Sequence, residues 1–223
     1  ARLRGRRAGS VGDAAAFTDE NLARYDAAGQ PLWSEAFGGA GWESPLDFEL
    51  DATGNIVLLG GFDARVPCYA GGIDLDLSVE ALLKQTDDNL AKGFRAIKMK
   101  VGRPDLASDV ARVQAMRKHL GSGFPLMADA NMKWTVEEAI RAARAFQPYD
   151  LTWLEEPIIP DDVAGHARIM AAGGVPIAAG ENLRSLWEFK NYIAAGAVSY
   201  PEPDVTNCGG VTAFMKIARL AEA

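Results

Sequence analysis

The sequence predicts an α/β fold, in which about six strand–helix units of a partial (β/α) barrel follow a short β-hairpin segment. From about residue 67 onward, short apolar runs alternate with helical patterns every 25–30 residues. This order is typical of parallel strands joined by right-handed crossovers. No glycine-rich nucleotide-binding fingerprint accompanies these units, which favours a TIM-type barrel over a doubly wound sheet.

Composition limits the classes of function that the chain can serve. The 223 residues are 48% hydrophobic and carry a net charge of −7, although four arginines fall within the first seven residues. We expect residues 1–18 to form a disordered basic N terminus. The acidic remainder argues against a nucleic-acid partner, which needs a basic face. Two cysteines, Cys68 and Cys208, no long apolar run and no signal peptide predict a cytoplasmic protein without a membrane partner.

Residues 19–63 contain two similar turn signals, each flanked by strand-like runs. Asp26–Gln30 and Asp51–Asn55 both open with Asp and place Gly at the fourth position, where a turn needs positive φ. The flanking runs are residues 22–25 with 31–37, and residues 46–50 with 56–59. Two tandem β-hairpins are therefore predicted. The accompanying Trp and Gly-Gly pattern resembles a repeat of secreted bacterial β-propeller-like proteins, and the alternatives are a small β-meander or part of an unusual capping domain.

The barrel region is expected over residues 66–223, and its elements follow in order. Strands are predicted at residues 67–70, 95–101, 125–129, 151–155, 175–179 and 198–201. Helices are predicted at residues 79–92, 106–120, 135–146, 161–172, 186–195 and 211–223.

Three acidic residues stand at the ends of successive predicted strands. Asp129, Glu155 and Glu181 are each separated by 26 positions, the length of one strand–helix unit. Strand ends one unit apart return to the same end of a parallel barrel, so we expect the three carboxylates to converge. Converging carboxylates repel one another unless a cation neutralises them, and oxygen ligands select a hard ion. The spacing therefore predicts a Mg²⁺ site.

Two lysines lie on the strand that precedes Asp129. Lys98 and Lys100 are two positions apart and share one strand face, whereas Ile97, Met99 and Val101 form the opposite, apolar face. Both ammonium groups are expected to point toward the carboxylates. Mutual repulsion beside Mg²⁺ would lower their pKa values and make a neutral lysine available as a base.

These motifs together resemble the enolase superfamily, over residues 66–223. The resemblance rests on Lys98-Met99-Lys100, Ala128-Asp129-Ala130-Asn131, Glu155-Glu156-Pro157, Gly180-Glu181-Asn182 and the run from Pro203 to Gly210. It implies Mg²⁺ held by Asp129, Glu155 and Glu181, a catalytic base at Lys100 with Lys98 beside it, and Asp204 orienting a catalytic histidine. It further implies substrate contacts from Asn131, Glu156, Asn182 and Asn207, a small carboxylate substrate, and a possible homo-oligomer.

The predicted sixth strand assigns the branch of the superfamily. Residues 198–211 contain no lysine and offer Asp204 instead, as in the mandelate racemase branch, and the sequence looks most like acid-sugar dehydratases. The expected function is Mg²⁺-dependent removal of the proton α to a carboxylate, with loss of water. A racemase or cycloisomerase of the same superfamily is the first alternative. A non-catalytic fusion fragment, with the hairpins as an interaction module, is the second.

The expected partner histidine of Asp204 is not found at a strand end. His119 and His166, the two histidines of the chain, both fall in predicted helices. We expect His119 to complement a helix C terminus and His166 to be a packing or surface residue. Together with six predicted units in place of eight, this predicts a truncated barrel whose catalytic histidine lies beyond residue 223.

Overall fold

The computed structural model describes residues 68–222 and, before them, the backbone of six short strands. The chain divides into two compact units, Ala1–Val66 and Pro67–Ala223. Each is considered by itself.

The N-terminal unit contains two antiparallel sheets. Its strands are β1 (Arg2–Leu3), β2 (Ala14–Thr18), β3 (Asn21–Tyr25), β4 (Pro31–Ala36), β5 (Asp47–Leu50) and β6 (Ile56–Leu59). One sheet has the order β1-β6-β5 and the other β2-β3-β4. The antiparallel pairs β3–β4 and β5–β6 confirm the two predicted hairpins.

Residues 1–18 include two described strands, β1 and β2. Strand β2 pairs antiparallel with β3, from Ala14 opposite Tyr25 to Thr18 opposite Asn21. Outside these strands, the expected disorder of residues 1–18 remains a prediction. The turns at residues 26–30 and 51–55 lie outside the described residues. The propeller-like resemblance, and the division of this unit at residue 19, remain predictions.

The second unit alternates strands and helices as predicted. Its strands are β7 (Ala70–Gly71), β8 (Ile97–Lys100), β9 (Leu126–Asp129), β10 (Leu154–Glu155), β11 (Ile177–Ala179) and β12 (Tyr200–Pro201). Its helices are α1 (Val79–Ala91), α2 (Leu106–Leu120), α3 (Val136–Phe146), α4 (Val163–Gly173), α5 (Leu186–Ala194) and α6 (Val211–Glu222), with a 3₁₀ turn at Gln147–Tyr149.

The six strands form one parallel sheet in chain order, β12-β11-β10-β9-β8-β7. Helices α1 to α5 each connect two neighbouring strands and α6 follows β12, which is the connectivity of a (β/α) barrel. The prediction of a partial barrel with six units is confirmed. None of the helices in the described residues is long and apolar enough to cross a membrane.

Apolar residues between sheet and helices form the core that fixes the strand ends. Met99 of β8, Leu126 of β9 and Leu154 of β10 have no exposed surface, and they join Val113 of α2 and Phe146 of α3 in one buried cluster. Helix starts are set by local caps. Thr135 and Glu138, for example, form a reciprocal capping box at the start of α3. The functional side chains are therefore presented by rigid strand ends.

Candidate active site

The register of three neighbouring strands places the predicted base and two predicted metal ligands in one line. Lys100, the last residue of β8, lies opposite Asp129 of β9, which lies opposite Glu155 of β10. All three end their strands. We refer to Lys100, Asp129 and Glu155 as the strand-end row.

Both lysines reach the carboxylates of this row, as predicted from their spacing. Lys100 Nζ lies 2.6 Å from Asp129 Oδ2. Lys98 Nζ lies 2.6 Å from both Glu155 oxygens and 3.5 Å from Asp129 Oδ2. Ile97 and Met99 are buried on the opposite face. The four polar groups therefore form one alternating network of charges.

The carboxylates act on the pKa of Lys98 in the direction opposite to the lowering expected beside Mg²⁺, which remains a prediction. Burial lowers the pKa of Lys98, but the hydrogen bond and the charge of Glu155 outweigh burial and raise it. Burial and the charge of Asp129 raise the pKa of Glu155, against the opposing effect of Lys98. The prediction assumed that a cation already neutralised the acids, whereas here each lysine is the counter-ion of a carboxylate.

Glu181 differs from Asp129 and Glu155 in its exposure to solvent. Asp129 and Glu155 are 1% and 2% exposed, whereas Glu181 is exposed in the turn after β11. Among residues 68–222, no three His, Cys, Asp or Glu side chains are arranged to hold a metal ion. Asp129 and Glu155 are therefore adjacent in register, whereas Glu155 lies opposite Ala178 and Glu181 is three residues further along. The convergence of all three carboxylates on one cation remains a prediction.

A glycine determines how the chain reaches Glu181. Gly180 has φ +145°, and a Cβ there would lie 2.9 Å from the backbone N and O of Glu202 and 2.6 Å from the Phe189 ring. A side chain at this position would meet both obstacles. The close approach of β11 to the end of β12 therefore requires glycine directly before the predicted ligand.

Glu156 and Asn182, two predicted substrate-binding residues, contact each other. Asn182 Nδ2 donates to Glu156 Oε2 at 2.7 Å, whereas the buried Glu156 Oε1 has no hydrogen-bond partner within the described part of the chain. Burial, then the charges of Glu181, Asp129 and Glu155, raise the pKa of Glu156 to about 7. An unpaired buried carboxylate oxygen at a strand end is an acceptor that a ligand can use.

The backbone around these residues adopts unusual angles. Asn131, Met132 and Glu156 have φ values of 44°, 61° and 35°. Positive φ is uncommon for residues other than glycine, and such residues cluster at functional sites. The Asn131 N–H donates to Asp129 Oδ1 at 2.9 Å. The loop after β9 therefore holds the Asp129 carboxylate through its own backbone.

Asp204 and Asn207 lie in the turn that follows β12. Asp204 Oδ1 accepts from the Thr206 hydroxyl at 2.6 Å and from the Thr206 N–H at 2.7 Å, and these bonds lower its pKa. Asn207 Nδ2 donates to the Glu181 carbonyl at 2.9 Å. Asn207 thus ties this turn to the turn that carries Glu181. The roles of Asp204 and Asn207 in catalysis and substrate binding remain predictions.

Neither histidine lies at the strand-end row. His119, in the last turn of α2, lies 2.6 Å from Asp87. His166 of α4 is fully buried, and its Nδ1 is 3.0 Å from the Asp162 carbonyl and 3.2 Å from the Tyr192 hydroxyl. Both predicted structural roles agree with these positions, and His166 is the packing residue of the pair.

Several residues beside the row escaped the sequence analysis. Trp153 Nε1 donates to Glu155 Oε2 at 3.1 Å, and its ring contacts Tyr69 and Tyr200. Glu202 Oε2 is buried without a partner among the described residues. Burial and then the charge of Glu155 raise the pKa of Glu202. Trp153 precedes Glu155 by two positions, and residues two apart on a strand lie on the same face. The sequence could therefore have predicted that Trp153 lies beside Glu155.

The donors at this end of the sheet fit a hard divalent cation. Asp129 and Glu155 present carboxylate oxygens on adjacent strands, and Glu156 and Glu202 each leave one buried oxygen unpaired within residues 68–222. Burial, followed by repulsion from neighbouring carboxylates, raises the pKa values of Glu155 and Glu156, and an added positive charge would oppose both effects. Carboxylate oxygens without sulfur or imidazole are typical of Mg²⁺.

Comparison with protein families decides the relationship. Residues 81–223 match the family described as Enolase C-terminal domain-like. The chain belongs to this family. The resemblance drawn from the strand-end motifs is confirmed.

Two relatives that the chain matches are a cycloisomerase and a dehydratase that act on sugar acids. A 3,6-anhydro-α-L-galactonate cycloisomerase of Streptomyces coelicolor is 63% identical over 166 residues, which are 74% of this chain and 46% of that protein. An L-talarate/galactarate dehydratase of Salmonella typhimurium is 41% identical over 74% of this chain and 42% of the relative. This chain therefore spans about half the length of the curated relatives that it matches.

Solved structures agree in fold and in cation. A racemase from Streptomyces coelicolor A3(2) with bound magnesium has a TM-score of 0.71 and 63% identity, over 73% of this chain and 48% of that chain. An L-talarate dehydratase from Polaromonas sp. JS666, complexed with Mg and L-glucarate, has a TM-score of 0.67 and 41% identity. The match covers 72% of this chain and 45% of the dehydratase chain. Magnesium, the cation predicted from the acidic motifs, is the metal of these enolase-like relatives.

Proposed function

We propose that this chain carries the metal-binding and proton-abstracting part of an enzyme that removes the proton α to the carboxylate of an acid sugar. The observation that carries the proposal is the strand-end row. It places an amine, Lys100, directly beside two buried carboxylates, Asp129 and Glu155. A base next to a cation site is the arrangement that enolisation of a carboxylate requires.

Asp129, Glu155 and Glu181 are the residues that would hold Mg²⁺. The first two are buried and adjacent, and Glu181 follows the next strand, in a turn that Asn207 braces through the Glu181 carbonyl. When bound, Mg²⁺ supplies positive charge that stabilises the negative charge developing on a substrate carboxylate.

Lys100 acts on the proton and Lys98 assists. Lys100 Nζ takes the proton from the α carbon, and the electron pair of that C–H bond moves toward the substrate carboxylate. Lys98 Nζ lies 2.6 Å from Glu155 Oε1, at the same strand ends, and its ammonium group stabilises the same negative charge. The two lysines therefore divide the roles of base and fixed cation.

The second step is a β-elimination, and its leaving group distinguishes the candidate reactions. The electron pair returns to form a double bond between the α and β carbons while the β C–O bond breaks, and the leaving oxygen takes up a proton, which balances the one that Lys100 removed from the α carbon. If that oxygen is a hydroxyl, water departs and the reaction is a dehydration. If it is the ring oxygen of an anhydro sugar acid, the ring opens, no atom is lost, and the reaction is an isomerisation.

The ring-opening reaction is favoured by the comparison. The chain is 63% identical to the cycloisomerase and 41% identical to the dehydratase over the same number of residues. We therefore propose a 3,6-anhydro sugar acid as the preferred substrate and an aldarate as the second candidate. In both cases the residues proposed to contact substrate hydroxyls are Asn131, Glu156, Asn182 and Asn207.

The test is exchange of the α proton with deuterated water, followed by NMR on both substrate classes in the presence of Mg²⁺. We expect wild type to exchange or convert substrate, and Lys100→Met to abolish both while retaining Mg²⁺ affinity. Lys84→Met is the control, because Lys84 lies on α1 and pairs with Asp88 at the surface. Exchange that survives in Lys100→Met would show that another group is the base.

The non-catalytic alternative gives a different result in the same experiment. A fusion fragment would show no exchange in wild type, and combined Asn and Gln replacements at Asp129, Glu155 and Glu181 would leave its behaviour unchanged.

A further inference from the structure

The backbone of Lys100 lies beyond the end of the neighbouring strand β7. Along β8, alternate residues direct their amides to opposite sides. The Ile97 N–H donates to the Pro125 carbonyl and the Val101 N–H to the Asp129 carbonyl, both on the β9 side. The backbone N–H and carbonyl groups of Lys98 and Lys100 therefore point toward β7.

Strand β7 is too short to pair with Lys100. It consists of Ala70 and Gly71, which lie opposite Ile97 and Lys98. The chain then leaves the sheet, so no β7 residue lies opposite Lys100. Buried backbone groups need partners, and the N–H and carbonyl of Lys100 must find them elsewhere.

A buried ion pair supplies these partners. Asp74 Oδ1 accepts from the Lys100 N–H at 2.8 Å, and Arg112 Nη1 donates to the Lys100 carbonyl at 2.8 Å. Arg112 Nη2 donates to the Asp74 carbonyl at 2.7 Å and lies 3.3 Å from Asp74 Oδ1. The pair thus contacts both backbone groups that a further residue of β7 would have bound.

The pair is built into the core. The side chains of Asp74 and Arg112 are each 1% exposed. Asp109, on the same helix as Arg112, accepts from the amides of Gly102 and Arg103 at 2.8 and 2.9 Å. Side chains therefore hydrogen-bond the backbone at two places: Asp74 and Arg112 at Lys100, and Asp109 at Gly102 and Arg103 in the loop that follows β8.

We propose that Asp74 and Arg112 are positioning residues that fix the proposed base Lys100. The inference rests on the proposed function for its catalytic meaning. The pair contacts Lys100 through hydrogen bonds to its backbone N–H and carbonyl, so the pair acts on the reaction through Lys100. By fixing the end of β8 it sets where Lys100 Nζ lies relative to Asp129 and to the α proton of the substrate.

Two replacements of Asp74 separate hydrogen bonding from charge. Asp74→Leu removes the acceptor for the Lys100 N–H, whereas Asp74→Asn keeps an oxygen that can accept it. Arg112→Lys is a milder third variant, because one ammonium group cannot span two carbonyls as the guanidinium does. Thr86→Val is the matched control, since Thr86 is also buried and bonds Leu82 and Met116 but does not touch Lys100.

The first readout is independent of activity. Amine acylation followed by mass spectrometry measures the reactivity of Lys100, with the surface residue Lys84 as internal reference. We expect labelling of Lys100 to rise several-fold in Asp74→Leu, to a lesser extent in Arg112→Lys, and little in Asp74→Asn or Thr86→Val. Far-UV circular dichroism verifies that each variant is folded.

The second readout is the rate of α-proton exchange at saturating substrate, alongside Mg²⁺ affinity by calorimetry. A catalytic group that is displaced by about 1 Å can lower the rate of the reaction by about 10²-fold. We expect a loss of that order in Asp74→Leu, partial recovery in Asp74→Asn, and unchanged Mg²⁺ affinity in both.

The outcomes distinguish this inference from the proposed function. If folded Asp74→Leu or Arg112→Lys matches Thr86→Val in Lys100 labelling, the positioning role is wrong. If wild type shows no exchange, or Lys100→Met retains it, the proposed function is wrong, and the labelling data still decide whether the pair fixes Lys100.

Discussion

Gly180→Ala tests how the β11–β12 junction places Glu181. The substitution introduces two costs. A positive-φ conformation available almost only to glycine costs a residue with a side chain about 1–3 kcal/mol. The new Cβ also meets the backbone of Glu202 at 2.9 Å and the ring of buried Phe189 at 2.6 Å. Overpacking of this kind costs about 1–3 kcal/mol.

We expect Gly180→Ala to lower the free energy of unfolding by about 4 kcal/mol, the sum of the middle values of these two ranges. Relief of the clash would move the Glu202 N–H away from the Ala179 carbonyl, which it now reaches at 3.0 Å. For a chain of this length Tm falls by about 2–4 °C for each kcal/mol. Denaturant titration and thermal melting measure the change, and calorimetry should show weaker Mg²⁺ binding.

Gly196→Ala is the matched control. Gly196 also has positive φ, at +60°, but nothing lies within 4 Å of a Cβ at that position. It should lose only the conformational contribution, about 1 kcal/mol. Equal losses in the two variants would refute the steric part of the reasoning, and unchanged Mg²⁺ affinity in Gly180→Ala would refute the link to Glu181.

Three further predictions concern capping, pH and metal. Thr135→Ala removes one half of the capping box of α3 and should lower stability by about 1 kcal/mol in denaturant titration. Burial lowers the pKa of His166. The unfolded chain therefore binds the proton more readily, and wild-type stability should fall as pH drops below about 6.5, less steeply in His166→Gln. Saturating Mg²⁺ at a hundred times its Kd should add about 2.7 kcal/mol relative to EDTA, and Glu181→Gln should reduce that gain; equal melting curves with Mg²⁺ and EDTA would contradict it.

The order of strands and helices could be predicted because periodicity is a local property of sequence. Helix α2 begins and ends where it was predicted, at residues 106 and 120. The strands are shorter than predicted, as in β10, where residues 151–155 reduce to Leu154–Glu155. An apolar run extends beyond its paired residues because flanking residues are also buried, and Leu151 is an example.

The site was only partly predictable because chain spacing does not determine register. The same interval of 26 residues separates Asp129 from Glu155 and Glu155 from Glu181, yet only the first pair lies in register. Lys98 and Lys100 were placed correctly because strand alternation is local. Asp74 and Arg112 are 38 positions apart, and only the folded chain shows that both contact Lys100.

The loops after β9 and β10 are joined by main-chain hydrogen bonds. The Ala130 N–H donates to the Glu155 carbonyl, the Met132 N–H to the Glu156 carbonyl, and the Trp134 N–H to the Pro157 carbonyl. Such bonds do not depend on which side chains the loop carries. The exposed side chains of Met132 and Lys133 can therefore be exchanged without removing any of the hydrogen bonds that join the two loops.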